Sequence, residues 1–400
     1  METESHRAAP TAESQPPASS ATSAPAPPGL AEWRTCRFIS RRRLVRAGLA
    51  AAATAAAGAL AACTVPVPRA QVAPEAHHGG HAGPSQLPGV PLGYQHHTGD
   101  VALPDGTSVP TVFTEEVAEK LRQAAGLDPM AYLTSFDYGQ VSRLPDGRTL
   151  REYRLTAVNK EIEVAPGVIY PAWTYNGHVP GPTLRATEGD LLRIHFTNGG
   201  DHPHTIHFHG IHAANMDGVF ESVAPGQTFT YEFEAEPFGL HLYHCHIMPL
   251  AKHIAKGLYG TFIIDPKQGR PKADREFVMM MNGFDIDFDN ENDVYAVNSV
   301  AFFYQHNPIK IRVGELVRIY LVNILEFDQT NSFHLHANFF NYYPTGTRLE
   351  PSEFTDTIAQ MQGQRGILEF RYKHPGRFMF HAHKTEFAEL GWTGLFEVEP

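Results

Sequence analysis

Four hundred residues leave room for two or three domains. Hydrophobic residues at 42% and charged ones at 19% are ordinary globular proportions, and a net charge of −11 argues against a nucleic-acid partner. The excess is in histidine, 23 in all, while three cysteines, Cys36, Cys63 and Cys245, are too few for a disulfide framework.

Residues 1–39 are rich in Pro, Ala and Ser and read as disordered. Then comes Ser40-Arg41-Arg42-Arg43-Leu44-Val45-Arg46, followed by an Ala-rich apolar run ending in Leu60-Ala61-Ala62-Cys63. This segment resembles a twin-arginine signal that closes on a bacterial lipobox. It implies export through the twin-arginine pathway to the periplasm or cell surface, with membrane anchoring by a lipid on Cys63; simple cleavage nearby, leaving a soluble protein, is the other reading. Residues 1–63 hold seven Lys/Arg against four Asp/Glu, so their removal takes the charge from −11 to −14. That balance serves solubility and mildly favours cationic substrates or metal ions. Residues 64–110, rich in Pro, Gly, Ala and His, read as a flexible tether carrying His77, His78, His81, His96 and His97. A helical lead-in over 111–150 contains one short helix from Thr114 to Gly126. Thr114 is its N-cap, Glu115 and Glu116 lie in its first turn, and Gly126 ends it.

From about 150 the pattern changes to short β-prone runs between Gly/Pro/Asn turns: Arg151–Val158, Leu191–Thr197, Thr228–Glu234 and Thr261–Ile264. It starts again after about 275 with Phe277–Met281, Ile309–Val313, Val317–Val322 and Gly366–Tyr372. Met279-Met280-Met281 lies inside one such run and reads as core. The two halves repeat. Glu188-Gly189-Asp190 matches Val313-Gly314-Glu315, and His207-Phe208-His209 matches His334-Leu335-His336. His244-Cys245-His246 matches His381-Ala382-His383, and Gly257-Leu-Tyr-Gly260 matches Gly391-Trp-Thr-Gly394. Two β-sandwiches, 151–268 and 269–400, fit this pattern and make the chain all-β.

Neighbours in a strand point to opposite faces, so Cys245 faces away from His244 and His246. A cysteine with two imidazoles is the blue-copper ligand set, and two further imidazoles are left for other metal. Leu258 supplies no donor at the position that follows His253 by five residues.

Four His-x-His pairs in this order, one of them His-Cys-His, resemble a multicopper oxidase built from two Greek-key cupredoxin domains. The resemblance covers about 160–400. Tyr175-Asn-Gly-His-Val-Pro-Gly-Pro182 and Met216-Asp217-Gly218 agree with it. It implies copper, four per subunit: one type 1, one type 2 and two type 3. The type 1 ligands would be His204, Cys245 and His253, with Leu258 in the axial place and His202 a weaker alternative to His204. A three-coordinate site would have a raised reduction potential. His207 and His334 would hold the type 2 copper. His209, His244, His246, His336, His381 and His383 would hold the type 3 pair. His212 and His241 remain as supporting residues. Electrons from a small reducing substrate would pass singly from the type 1 site along Cys245 to the cluster, where O2 becomes water. Asp217, then Glu386, are the candidate proton-relay acids. In two-domain relatives the cluster is shared between subunits of a homotrimer, which is the expectation here.

The nearest rival is copper nitrite reductase, which the stretch Glu386-Phe-Ala-Glu389-Leu-Gly391 also resembles. That enzyme has two coppers, no use for His246, and an aspartate where this chain has His207. A non-catalytic copper or electron-transfer lipoprotein would not need four pairs. Phenols, aromatic amines, Cu(I), Fe(II) and Mn(II) all remain open as donors, with only nine methionines arguing weakly against a dedicated cuprous oxidase.

Overall fold

The computed structural model describes residues 127–400 and the backbone of 101–102 and 108–109. The segment through Cys63, the tether histidines and the helix expected over Thr114–Gly126 lie outside the described residues. Strands β1 (Val101–Ala102) and β2 (Ser108–Val109) pair antiparallel. The described part of the lead-in begins with helix α1 (Pro129–Tyr132). Its first turn is fixed by Pro129 and by the Asp128 side chain, which accepts the Met130 N–H at 2.9 Å.

The rest is two β-sandwiches, as the all-β reading expects. In the first, β3 (Gln140–Arg143), β4 (Thr149–Ala165), β7 (Leu191–Asn198) and β9 (Thr228–Glu234) form one sheet, with β5 (Val168–Tyr175) also paired to β4. Facing it are β6 (Gly181–Thr187), β11 (Tyr259–Asp265), β10 (Gly239–His244) and β8 (His207–Phe208). Alternation makes these strands: Leu192, Ile194 and Phe196 of β7 are buried while their neighbours are half-exposed. Helix α2 (Leu250–Ala255) lies between β10 and β11.

The second sandwich pairs a six-stranded sheet with a five-stranded one. The first contains β12 (Arg275–Phe284), β13 (Val294–Val297), β15 (Val317–Asn323), β17 (Phe340–Pro344), β18 (Glu353–Thr355) and β20 (Arg365–Phe370). The other contains β14 (Ile309–Arg312), β16 (Thr330–Leu335), β19 (Thr357–Met361), β21 (Gly376–His381) and β22 (Thr393–Glu399). Helix α3 (Phe303–His306) precedes β14, and α4 (Thr385–Glu389) lies between β21 and β22, as α2 does between β10 and β11.

Each sandwich has its own apolar core, and a third cluster joins them. The joint packs Ile162, Leu240, Leu242 and Tyr259 against Val278, Met280, Tyr320 and Ile367. The methionine run is core: Met279 and Met281 face the second sandwich and Met280 faces the joint, so β12 is buried on both faces. Arg185 pairs with Asp265 of its own sandwich at 2.7 Å and crosses the joint to Glu276 at 3.0 Å.

Candidate metal centres

Register places the histidines. His244, the last residue of β10, lies opposite His207 of β8, and His381, the last of β21, lies opposite His334 of β16. The sequence repeat is thus a repeat of sheet position, with each sandwich gathering its own histidines at one strand end.

The thiol group is buried: His204, Cys245 and His253 are 1%, 0% and 3% exposed. Their candidate ligand atoms lie within 4.8 Å of one another. Sγ of Cys245 is 3.2 Å from Nδ1 of His253 and 3.9 Å from Nδ1 of His204. His204 is held by paired backbone bonds with Val223, 3.1 Å in each direction. His253 sits on α2, whose end is tied back to β10 because Cys245 N donates to Leu258 O at 3.0 Å. The turn into Leu258 requires Gly257: its φ is +111°, and an added Cβ would lie 2.5 Å from Val179. Leu258 is fully buried in the same cluster as Cys245. His202 is elsewhere. Its ring packs 4.7 Å from Trp173 and its Nδ1 meets Asp201 at 2.6 Å, so His204 is the histidine beside the thiol.

Burial pushes the Cys245 thiol up, with Thr205 N–H, 3.5 Å from Sγ, acting the other way. Burial first, then neighbouring imidazoles and charges, pushes His204 and His253 down to about 4. Both rings are therefore neutral near pH 7, and a soft cation replacing the thiol proton would find a complete donor set. The residues fit copper.

The histidines of the four His-x-His pairs form two groups with one design. In the first, Nε2 of His209 and Nε2 of His244 are 3.3 Å apart, with the His207 ring 5.2 Å from His244 and 5.4 Å from His246. In the second, Nε2 of His336 and Nε2 of His381 are 2.9 Å apart, with the His334 ring 5.4 Å from His381 and 5.2 Å from His383. Four rings are fixed by their other nitrogen. Nδ1–H of His207 donates to Asp217 O at 2.8 Å, that of His334 to Asp356 O at 3.0 Å, that of His244 to Cys245 O at 2.9 Å and that of His381 to Ala382 O at 2.6 Å. Each bond selects the tautomer with a free Nε2 lone pair, which is how metal-ligating histidines are oriented. Burial, followed by neighbouring imidazoles in the case of His209, pushes His209 down to about 2, and it pushes His244 and His381 to about 4. Among the described residues, no hydrogen bond or ring contact joins a histidine of one group to a histidine of the other.

Asp217 lies behind the first group: its carboxylate is 3.1 Å from Nδ1 of His207 and 3.9 Å from Nε2 of His212. Glu386, on α4, is half-exposed and meets Lys384 at 3.5 Å. His212 donates to Phe208 O at 2.8 Å, behind the first group. His241 lies at the joint, facing Pro237 O and Arg365.

Two features went unread in the sequence, and a third was read only in part, as the replacement of Cys245 by Ala382. Thr205 Oγ1 accepts from His246 N at 3.1 Å, and Ser332 Oγ accepts from His383 N at 2.8 Å. Each hydroxyl precedes its His-x-His pair by two residues, so extending the repeat backwards would have found them. Trp173 packs 5.3 Å from His204 and 4.8 Å from His253, which no local pattern announces. Finally, the second sandwich carries an apolar version of the thiol pocket. Ala382 N donates to Trp392 O as Cys245 N does to Leu258 O, and Trp392 N donates to Phe387 O as Leu258 N does to His253 O.

Comparison with known proteins agrees with this arrangement. Two multicopper oxidase family profiles match residues 156–269 and 273–400. A copper-containing nitrite reductase of Neisseria gonorrhoeae is 31% identical over 267 residues, covering 62% of this chain and 68% of that protein. A crystal structure described as a multicopper oxidase is 64% identical, with a TM-score of 0.69, and covers 70% of this chain and 99% of the other. A copper nitrite reductase structure from Nitrosomonas europaea is 29% identical, with a TM-score of 0.59 over 62% of this chain and 94% of the other.

Proposed function

The chain belongs to the multicopper oxidase family and is an oxidoreductase, and from that premise we propose that it takes single electrons from a small reducing substrate and delivers them to O2, forming water. The observation that carries the oxygen reading is the presence of two rings in the first group, His207 and His246. His207 stands where nitrite reductases have an aspartate, and His246 packs 6.0 Å from His244 with no role in a two-copper enzyme. The 64% identity to a protein described as a multicopper oxidase supports the same reading.

In this reading His204, Cys245 and His253 hold one copper, with Leu258 as an apolar wall. The eight histidines hold three more: His207 and His334 one, the other six a pair. Bound copper supplies one-electron redox chemistry and the reduction of O2. The chain supplies the rest. Cys245 gives up its thiol proton to ligate, and its backbone bonds to His244 and His246 tie the thiol group to the histidine group. The Nδ1 bonds hold the imidazoles in the ligating tautomer. The Asp217 carboxylate, beside His207 and His212, would be the group of this chain that relays protons to the site. The lack of contact between the two histidine groups supports completion of the cluster by a neighbouring copy in a homotrimer.

Metal analysis with acceptor assays tests this. Four coppers per subunit and O2 uptake with an aromatic donor are expected. Two coppers, with nitrite reduced to nitric oxide and no O2 uptake, would establish the reductase instead.

A further inference from the structure

The ligands of the thiol group are closed to solvent. His204 and His253 are 1% and 3% exposed, so a donor molecule cannot rest on either ring. Trp173, itself 7% exposed, packs on both and also borders a basin of about 380 Å³. That basin is lined by Asn159, Lys160, Glu161, Trp173, Lys252 and Lys256. Its volume suits one aromatic ring with a substituent. Lys252 Nζ stands 5.4 Å over the Trp173 ring, and Lys256 Nζ donates to Pro171 O at 3.0 Å. Among the described residues none of the three ammonium groups pairs with a carboxylate, and Glu161 is the single acidic residue in the lining. On a chain of net charge −11 this is a local inversion of sign. A cationic concavity with low-dielectric walls focuses its field on anions, whatever the net charge of the molecule.

We propose that this basin docks an aromatic reductant bearing a carboxylate or sulfonate, and that Trp173 is the contact through which its electron reaches the His204–Cys245–His253 group. The inference rests on the oxidase reading above and names its substrate class. The anionic substituent is held by Lys252 and Lys256 and keeps its charge. The donor ring loses one electron, which reduces Cu(II) in the thiol group to Cu(I). Where the donor is a phenol, its hydroxyl proton leaves to water in the basin. Electron transfer weakens steeply with distance, so a ring that touches both the donor and the two ligand imidazoles is the short route in. Trp173 is on this view a positioning and coupling residue, and the lysines set specificity.

Two measurements on the copper-loaded protein test it. Calorimetric titration with 2-naphthalenesulfonate, which is not oxidised, should give binding that weakens about tenfold in Lys252→Gln/Lys256→Gln, and naphthylmethylammonium should bind at least about tenfold more weakly than the sulfonate. Equal binding of the two ions, or no change in the double variant, overturns the site. Stopped-flow bleaching of the blue band without oxygen should be slower with ferrocyanide in the lysine variant but not with hexaammineruthenium(II). In Trp173→Leu and Trp173→Phe, with copper content retained, it should slow with both donors in Leu and be partly rescued in Phe. Unchanged rates in Trp173→Leu overturn the coupling role. Charge-selective binding and bleaching with no O2 uptake would reject the oxidase reading while supporting the dock.

Discussion

Arg365 of the second sandwich donates to Nδ1 of His241 in the first at 3.4 Å, while Nε2–H of His241 donates to Pro237 O at 2.9 Å. Both imidazole nitrogens are thus committed to one neutral tautomer. Burial disfavours the cation, and the guanidinium beside Nδ1 opposes it further, so His241 is pushed down to about 4 despite its bond to Pro237 O. In the unfolded chain it titrates near the ordinary value of about 6.5. Between those values the unfolded chain binds the proton and the folded one does not. The contribution is complete above about pH 6.5 and is lost as pH falls toward 4, by at most about 3 kcal/mol. Denaturant unfolding at pH 7.5 and 4.5 should show a smaller acid loss in His241→Gln than in the parent; the other buried histidines are common to both proteins.

Leu258→Met places a thioether beside the thiol group in a pocket that already fits a side chain of this volume. The stability cost should stay below about 1.5 kcal/mol. The thioether offers Cu(II) an axial electron pair, so the reduction potential of the blue site should fall in a redox titration. A potential that stays or rises removes Leu258 from the axial position.

Asp217→Asn keeps the shape of the carboxylate and removes its proton affinity. The His207 Nδ1 bond goes to the Asp217 backbone and survives the change. Copper content and the blue band should be retained, while O2 turnover falls about 10²-fold. Full turnover would transfer the relay role elsewhere.

Ser332→Ala removes the acceptor for His383 N at 2.8 Å and Lys384 N at 3.3 Å. Both bonds are solvent-exposed, so water can replace the acceptor and the stability cost should stay below about 1 kcal/mol. Slackened His383 should lower cluster copper and O2 uptake, with the blue band intact. Metal analysis alongside visible absorption separates the two.

If neighbouring copies complete the cluster, dilution or mild dissociation should abolish O2 reduction and leave the blue colour. A fully active monomer, identified by light scattering during turnover, would contradict the sharing.

The histidine pairs and Cys245 were legible because their geometry is local. A period of two and a repeat of about one sandwich's length are written in the sequence, and register does the rest by bringing His244 opposite His207 and His381 opposite His334. The sequence offered His202 as a weaker alternative to His204, and the His204–Val223 pairing, with His202 turned to Asp201, separates them. Trp173 comes from β5, and nothing near it in sequence marks its contact with His253 on α2. The net charge of −11 pointed toward cationic partners, yet Lys160, Lys252 and Lys256 gather at one basin. Charge summed over a chain carries no information about where it is placed.

The apolar pocket of the second sandwich has a consequence of its own. Ala382, Phe387 and Trp392 occupy, on the same backbone frame, the places that Cys245, His253 and Leu258 occupy in the first. One molecule thus carries both a live socket and a blank. Evolution could retune the live socket's voltage, or let it lapse, without disturbing the duplicated scaffold, and an experimenter has in the blank an internal reference at matched geometry.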